Sequence, residues 1–192
     1  MLVLCPSPVV LVLVLVLVFG QPLDPQQHAA LMAIFDATGC RNSFCQKWPV
    51  TADCVAHSRI TCSQRSVTRL DMSNMSIPLT GTVPSELNLL TDLKHFEIAD
   101  NALVGVLPEV PALIFLTTLW FQLNKLSGTI HTTFGLLTSL AFLSFRSNNL
   151  VGTLPTEFAR LTMLDTFRVD STNVSGRITP HPSLEQLLVL PA

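Results

Sequence analysis

Glycines recur at Gly81, Gly105, Gly128, Gly152 and Gly176, in steps of 24, 23, 24 and 24 residues. No other feature constrains the fold as strongly. A copy of this size cannot bury an apolar face alone, so the copies must stack. The frame is clearest from Leu93 to Pro108, LKHFEIADNALVGVLP, and reads L-x-x-L-x-L-x-x-N-x-L-x-G-x-L-P. The copy beginning at Leu140 is complete, through Leu143, Phe145, Asn148, Leu150, Gly152, Leu154 and Pro155. The copy beginning at Leu116 has His131 in the proline slot, and the one beginning at Leu164 has Thr172 where the others have asparagine. The first copy, Val67 to Pro84, carries two extra residues between Met72 and Gly81. Leu184, Leu187 and Val189 begin a sixth.

Each fixed position has a physical task. Phe96 and Ile98 flank Glu97 in the alternation of a half-buried strand, and such strands stack into a parallel sheet. The asparagine lies where the chain leaves that sheet, and its amide has the donors and acceptor to bond its own and the neighbouring turn. Thr172, with one hydroxyl, does part of this. Glycine relaxes the limits on backbone angles at the return. Proline stiffens the segment on its C-terminal side. The expected class is α/β: a leucine-rich-repeat solenoid with a short parallel sheet on its concave face.

The expected domains are a signal peptide at 1–20, an N-terminal cap at 21–66, five repeats at 67–182, and at 183–192 a partial sixth repeat or degenerate C-terminal cap. Val9 to Phe19 is an unbroken apolar run ending at Gly20, of signal-peptide length. The leader MLVLCPSP lacks Lys and Arg, so a retained signal-anchor is the alternative, and membrane association is expected only in that case. Removing Cys5 leaves Cys40, Cys45, Cys54 and Cys62, an even set that implies two disulfides in a secreted chain. Three pairings are open; sequence proximity favours Cys40–Cys45 with Cys54–Cys62. A zinc site using His57 is the rival, but C-x4-C and C-x7-C fit no common structural zinc pattern. A short helix is expected ahead of the cysteines, with Asp24 as its cap, Pro25 in its first turn and Gly39 at its end. Its face of Leu31, Ile34 and Phe35 would cover the first repeat, and Trp48 completes the cap.

These residues together resemble extracellular leucine-rich-repeat proteins of the plant-specific type, among them receptor-kinase ectodomains and polygalacturonase inhibitors. Kinetoplastid surface antigens carry a similar repeat and cap. The stretch WPVTADCVAHSRITC, Trp48 to Cys62, is similar to the family's N-terminal cap. The resemblance implies a recognition module; an inhibitor of a secreted hydrolase and a structural surface antigen without a specific ligand are the alternatives. It also implies an extracellular protein or peptide partner, a hydrolase or co-receptor included, on a secreted or cell-surface protein.

No catalytic motif is present and no cofactor is expected: G-x-S-x-G, H-E-x-x-H and a phosphate-binding glycine loop are all missing. Charged residues are only 12% and the net charge is −2, so nucleic acid is not an expected partner. Information therefore sits in the outward strand columns. One column is Arg69, His95, Thr118, Phe142 and Thr166; the next is Asp71, Glu97, Trp120, Ser144 and Arg168; a third is Ser73, Ala99, Gln122, Arg146 and Asp170. Trp120 and Phe142 fall in adjacent repeats and neighbouring columns, close enough to touch. With His95, Glu97, Arg146 and Arg168 around them they form the candidate ligand site. Asn74 and Asn173 head glycosylation sequons.

Overall fold

The computed structural model describes residues 23–40, 59–177 and 188–189. The leader at 1–20, Cys45, Trp48, Cys54, His57 and most of 183–192 lie outside the described residues.

The first described element is helix α1, Pro25–Ala37. Asp24 caps it by accepting from the Gln26 N–H at 2.9 Å. Gly39 follows its end at φ +71°, as a helix stop requires. Leu31, Ile34 and Phe35 are fully buried. The buried Gln27 fastens the helix to the repeats: Nε2 donates to Leu89 O at 3.2 Å and Oε1 accepts from Val67 N at 3.0 Å.

Strands β1 (Ile60–Ser63) and β2 (Ser66–Asp71) form an antiparallel hairpin. Its turn residues Gln64 and Arg65 both have positive φ, 48° and 72°, matching the twist of a two-residue turn. Then β3 (His95–Glu97), β4 (Thr118–Trp120), β6 (Phe142–Ser144) and β8 (Thr166–Arg168) add in parallel, in the order β1-β2-β3-β4-β6-β8. The cap hairpin thus pairs off the sheet edge that the first repeat would expose.

The repeats also form a second sheet, which the repeat pattern alone does not foretell. It holds β5 (Ser127–Gly128), β7 (Asn149–Thr153), β9 (Asn173–Arg177) and β10 (Leu188–Val189), in the order β10-β9-β7-β5. Leu188 and Val189 run antiparallel to Arg177 and Gly176, whereas a continuing sixth repeat would add a parallel strand to the first sheet. Among the described residues, 3-10 turns at Ser85–Leu89, Thr132–Leu136 and Thr156–Arg160 lie in the connections back to the first sheet.

The core lies between the sheets. A chain of rings threads it: Phe96 meets Phe121 edge-on at 5.7 Å, Phe121 stacks on Phe145 at 6.0 Å, and Phe145 meets Phe167 edge-on at 6.4 Å. An asparagine ladder runs beside it. Asn124 donates to Phe121 O and Gln122 O of its own turn and to Ile98 O of the preceding one, and accepts from Leu103 N at 3.0 Å. Asn101 and Asn148 repeat the scheme, accepting from Leu79 N and Leu126 N. Thr172 donates to Val169 O at 2.7 Å and accepts from Val174 N at 3.3 Å, both within its own turn. The hydroxyl is too short to cross to the preceding repeat.

The repeat glycines divide into two kinds. Gly105, Gly128, Gly152 and Gly176 have φ of +86°, +80°, +93° and +124°. Gly81 has no such angle. A Cβ there would lie 1.7 Å from Ala37 O, and the adjacent Thr82 N donates to that same carbonyl at 2.9 Å. Gly81 lets the end of α1 close onto the first repeat; backbone freedom is not its role.

Candidate functional site

The strand register puts the outward columns side by side. Arg69 pairs with His95, His95 with Thr118, Thr118 with Phe142 and Phe142 with Thr166. Asp71, Glu97, Trp120, Ser144 and Arg168 align in the same way. Between these columns Phe96, Leu119, Leu143 and Phe167 point into the core, all buried. Outward-pointing does not mean exposed, however. Glu97, Thr118 and Ser144 are 8%, 8% and 5% accessible. Strands only about 4.8 Å apart let large neighbours shade short side chains. Ser144, expected to face outward at the surface, is therefore buried.

The structure brings together four of the six candidate ligand residues. Trp120, Phe142, Arg146 and Arg168 line one concavity of about 330 Å³, with Gln122, Leu123, Leu143, Ser144 and Thr166. Phe142 is 41% exposed. Trp120 and Phe142 share this wall, while the aromatic ring pairs among the described residues are all between core phenylalanines. At the rim, Arg146 Nε lies 2.8 Å from Asp170 Oδ2 and Arg168 Nε 3.4 Å from Asp170 Oδ1. The Arg146 contact is an ion pair without hydrogen-bond alignment, since its buried Nε makes no hydrogen bond.

His95 and Glu97 sit in a separate charge cluster toward the cap end of the sheet. Arg69 Nη2 is 2.6 Å from Glu97 Oε1 and 3.8 Å from Asp71 Oδ2, and Arg59 Nη1 is 3.8 Å from Asp71 Oδ1. Burial pushes the Glu97 carboxyl above its ordinary pKa, against the pull of Arg69 and with help from Asp71. Burial, then Arg69 and Lys94, push His95 below its ordinary value. His95 Nδ1 lies 3.1 Å from Thr118 Oγ1.

Cys40 and Cys62 are each disulfide-bonded; Cys45 and Cys54, and so the pairing, lie outside the described residues. Asn74 and Asn173, the sequon asparagines, are both exposed. Among the described residues no His, Cys, Asp or Glu cluster could hold a metal ion, and no helix is long and apolar enough to cross a membrane.

The apolar run Val110–Leu123 reads in the sequence as solenoid core, but Ile114, Phe115 and Leu123 are 47%, 51% and 49% exposed, and the cavity role of Gln122 was not legible either. Leu123 occupies neither a strand column nor a framework position, so its exposure becomes visible only once the turn is built.

Residues 139–161 match the family described as Leucine Rich Repeat. No curated protein matches the chain. Among solved structures, the chain is similar to the leucine-rich-repeat ectodomain of the receptor kinase SOBIR1 from Arabidopsis thaliana, at 27% identity and TM-score 0.70, over 82% of this chain and 85% of that one. It is also similar to a plant ice-binding protein, at 25% identity and TM-score 0.71, over 82% and 52% of the two chains. A third likeness is to the plant peptide hormone receptor RGFR1 in complex with RGF2, at 28% identity and TM-score 0.56, over 62% and 19%. In repeat and fold the chain is thus similar to the leucine-rich-repeat ectodomains of plant receptors.

Proposed function

We propose that this chain is an extracellular, non-catalytic recognition module that holds a protein or peptide on the concave face of its first sheet. One observation carries the reading: Trp120 and Phe142, on adjacent strands, open onto a single concavity with Arg146 and Arg168 at its rim. Aromatics offer large apolar area with few rotamers to freeze, and a central one typically contributes about 2 kcal/mol or more. The ectodomain of a receptor kinase and the receptor solved with RGF2 support the class of partner. Exposed Asn74 and Asn173 suit glycan acceptors on a secreted chain.

The test is partner capture from the native extracellular medium with wild type, Trp120→Ala and a control at Thr156 in the last 3-10 turn. Capture should fail for folded Trp120→Ala and persist for Thr156→Ala. The reverse pattern would move the site off the concave sheet. If the captured partner is a wall-degrading hydrolase that loses activity, the module is an inhibitor; if nothing is captured, it is a structural surface protein.

A further inference from the structure

Two cavities adjoin beside the β1–β2 turn, at the ends where β2 and β3 begin. The walls of one, about 320 Å³, include Ser63, Gln64, Ser66, Asp92, Lys94 and Phe115. The other, about 370 Å³, shares Gln64, Ser66 and Asp92 with it and continues past Thr91 and Leu89 to Gln26. Neither has a residue in common with the concavity at Trp120.

Asp92 and Phe115 hold the same slot in successive repeats, two residues past Leu90 and Leu113. The slot is no framework position, and Ser139 and Met163 fill it in the later repeats. An aromatic here serves no core: Phe115 is 51% exposed and pairs with no other ring among the described residues. The polar groups around it are also unused within the protein. Among the described residues, the side chains of Gln64, Asp92 and Lys94 make no hydrogen bond or ion pair. The turn between the cavities is strained. Gln64 and Arg65 take φ of 48° and 72°, angles that asparagine and glycine adopt more readily. Strain of this kind persists where the surroundings force it, and it clusters at ligand sites.

The chemistry of the walls narrows the ligand. Along the groove Asp24 and Asp92 are matched by Arg65 and Lys94, so it selects neither an anion nor a cation. A purely apolar ligand would strip water from Asp92 and Lys94 and return no hydrogen bond. A pyranose ring meets both demands. Its hydroxyls donate and accept, and its C–H groups present an apolar face that lies flat on an aromatic ring. We propose that this groove binds a short neutral glycan of linked pyranose units. One unit lies against the Phe115 ring, its hydroxyls donating to Asp92 and accepting from Lys94 and Gln64. The next lies beside Leu89 in the adjoining cavity. Each cavity is at the small end of the range for ligand pockets, about 300–1,000 Å³, so the pair suits two rings.

The test uses the full chain with cellobiose, lactose, maltose and diacetylchitobiose, and with digalacturonate as the acidic counterpart. Binding is read by NMR saturation transfer from protein to sugar C–H protons, and affinity by titration. At least one neutral disaccharide should receive saturation at millimolar concentration, most strongly on one ring face, and salt should not weaken it. Digalacturonate should bind no better. Phe115→Ala should weaken binding about tenfold, and Phe115→Trp should retain it. Asp92→Ala should weaken it by a similar factor. Phe115 is half exposed, so the urea midpoint of Phe115→Ala should stay near that of wild type, which separates a lost contact from a lost fold. Trp120→Ala should leave sugar binding unchanged. Saturation of none of the set, preference for digalacturonate, full binding by folded Phe115→Ala, or loss with Trp120→Ala would each overturn the proposal, the last by moving the sugar to the concave face.

Discussion

At the residue scale, hydrogen bonds that cross between repeats decide stability. Asn124 makes four bonds to backbone, two of them in the preceding turn. Asn124→Ala should therefore cost about 1–3 kcal/mol for each backbone group left unpaired, read as a shift in urea midpoint. Thr166→Ala, at an exposed place on the same sheet, should cost about 0.5 kcal/mol or less. Thr172 offers the converse experiment. Asparagine there would reach across to the preceding turn as Asn148 does, so Thr172→Asn should stabilise by about 1 kcal/mol. Equal midpoints for wild type and Thr172→Asn would mean that the last repeat has already satisfied those groups in another way.

At the element scale, the cap helix and the charged strands behave differently from the repeats. Gly81→Ala places a Cβ against the Ala37 carbonyl, so α1 must shift or detach. Amide exchange across Pro25–Ala37 should accelerate well beyond that in β6 and β8; an unchanged rate would show that the helix end gives way at little cost. The β3 strand should make stability depend on pH. The His95 pKa is lowered in the fold, so its contribution is complete above its unfolded value of about 6.5 and is lost as pH falls through the folded value. The Glu97 pKa is raised, so its contribution is present below the unfolded value and is lost as pH rises through the folded one. Stability should thus decline from pH of about 7 into the range where His95 protonates, and His95→Gln should flatten that decline in urea titrations at each pH.

At the scale of the whole molecule, a stack of repeats is held by nearest-neighbour contacts and is most vulnerable at its ends. The N-terminal end is closed by α1 and the β1–β2 hairpin, to which disulfide-bonded Cys40 and Cys62 are attached. Mild reduction should loosen these elements first and raise amide exchange in α1 and β1 before β6 and β8. Simultaneous loss of protection along the chain would instead show one cooperative unit. The aromatic chain from Phe96 to Phe167 is the feature that could impose such cooperativity, because its rings span four consecutive repeats of the core.

The sequence alone determined the repeat, the inward and outward columns of the first sheet, the capping of α1 and the partial replacement of asparagine by Thr172. Each comes from a local rule applied at a fixed period, and periodicity carries a local rule along the chain without knowledge of distance. Tertiary structure decided the rest. Gly81 is required by a helix more than forty residues earlier in the chain, and the second sheet forms only when Ser127, Asn149 and Asn173 are stacked in successive turns. Ser144 is buried because larger side chains on neighbouring strands shade it. The candidate site divided for the same reason: Trp120, Phe142, Arg146 and Arg168 converge, while Glu97 is drawn to Arg69 on the cap side and His95 lies against Thr118. Such outcomes depend on side-chain size and charge across neighbouring turns, and these variable positions are the ones a repeat leaves unspecified.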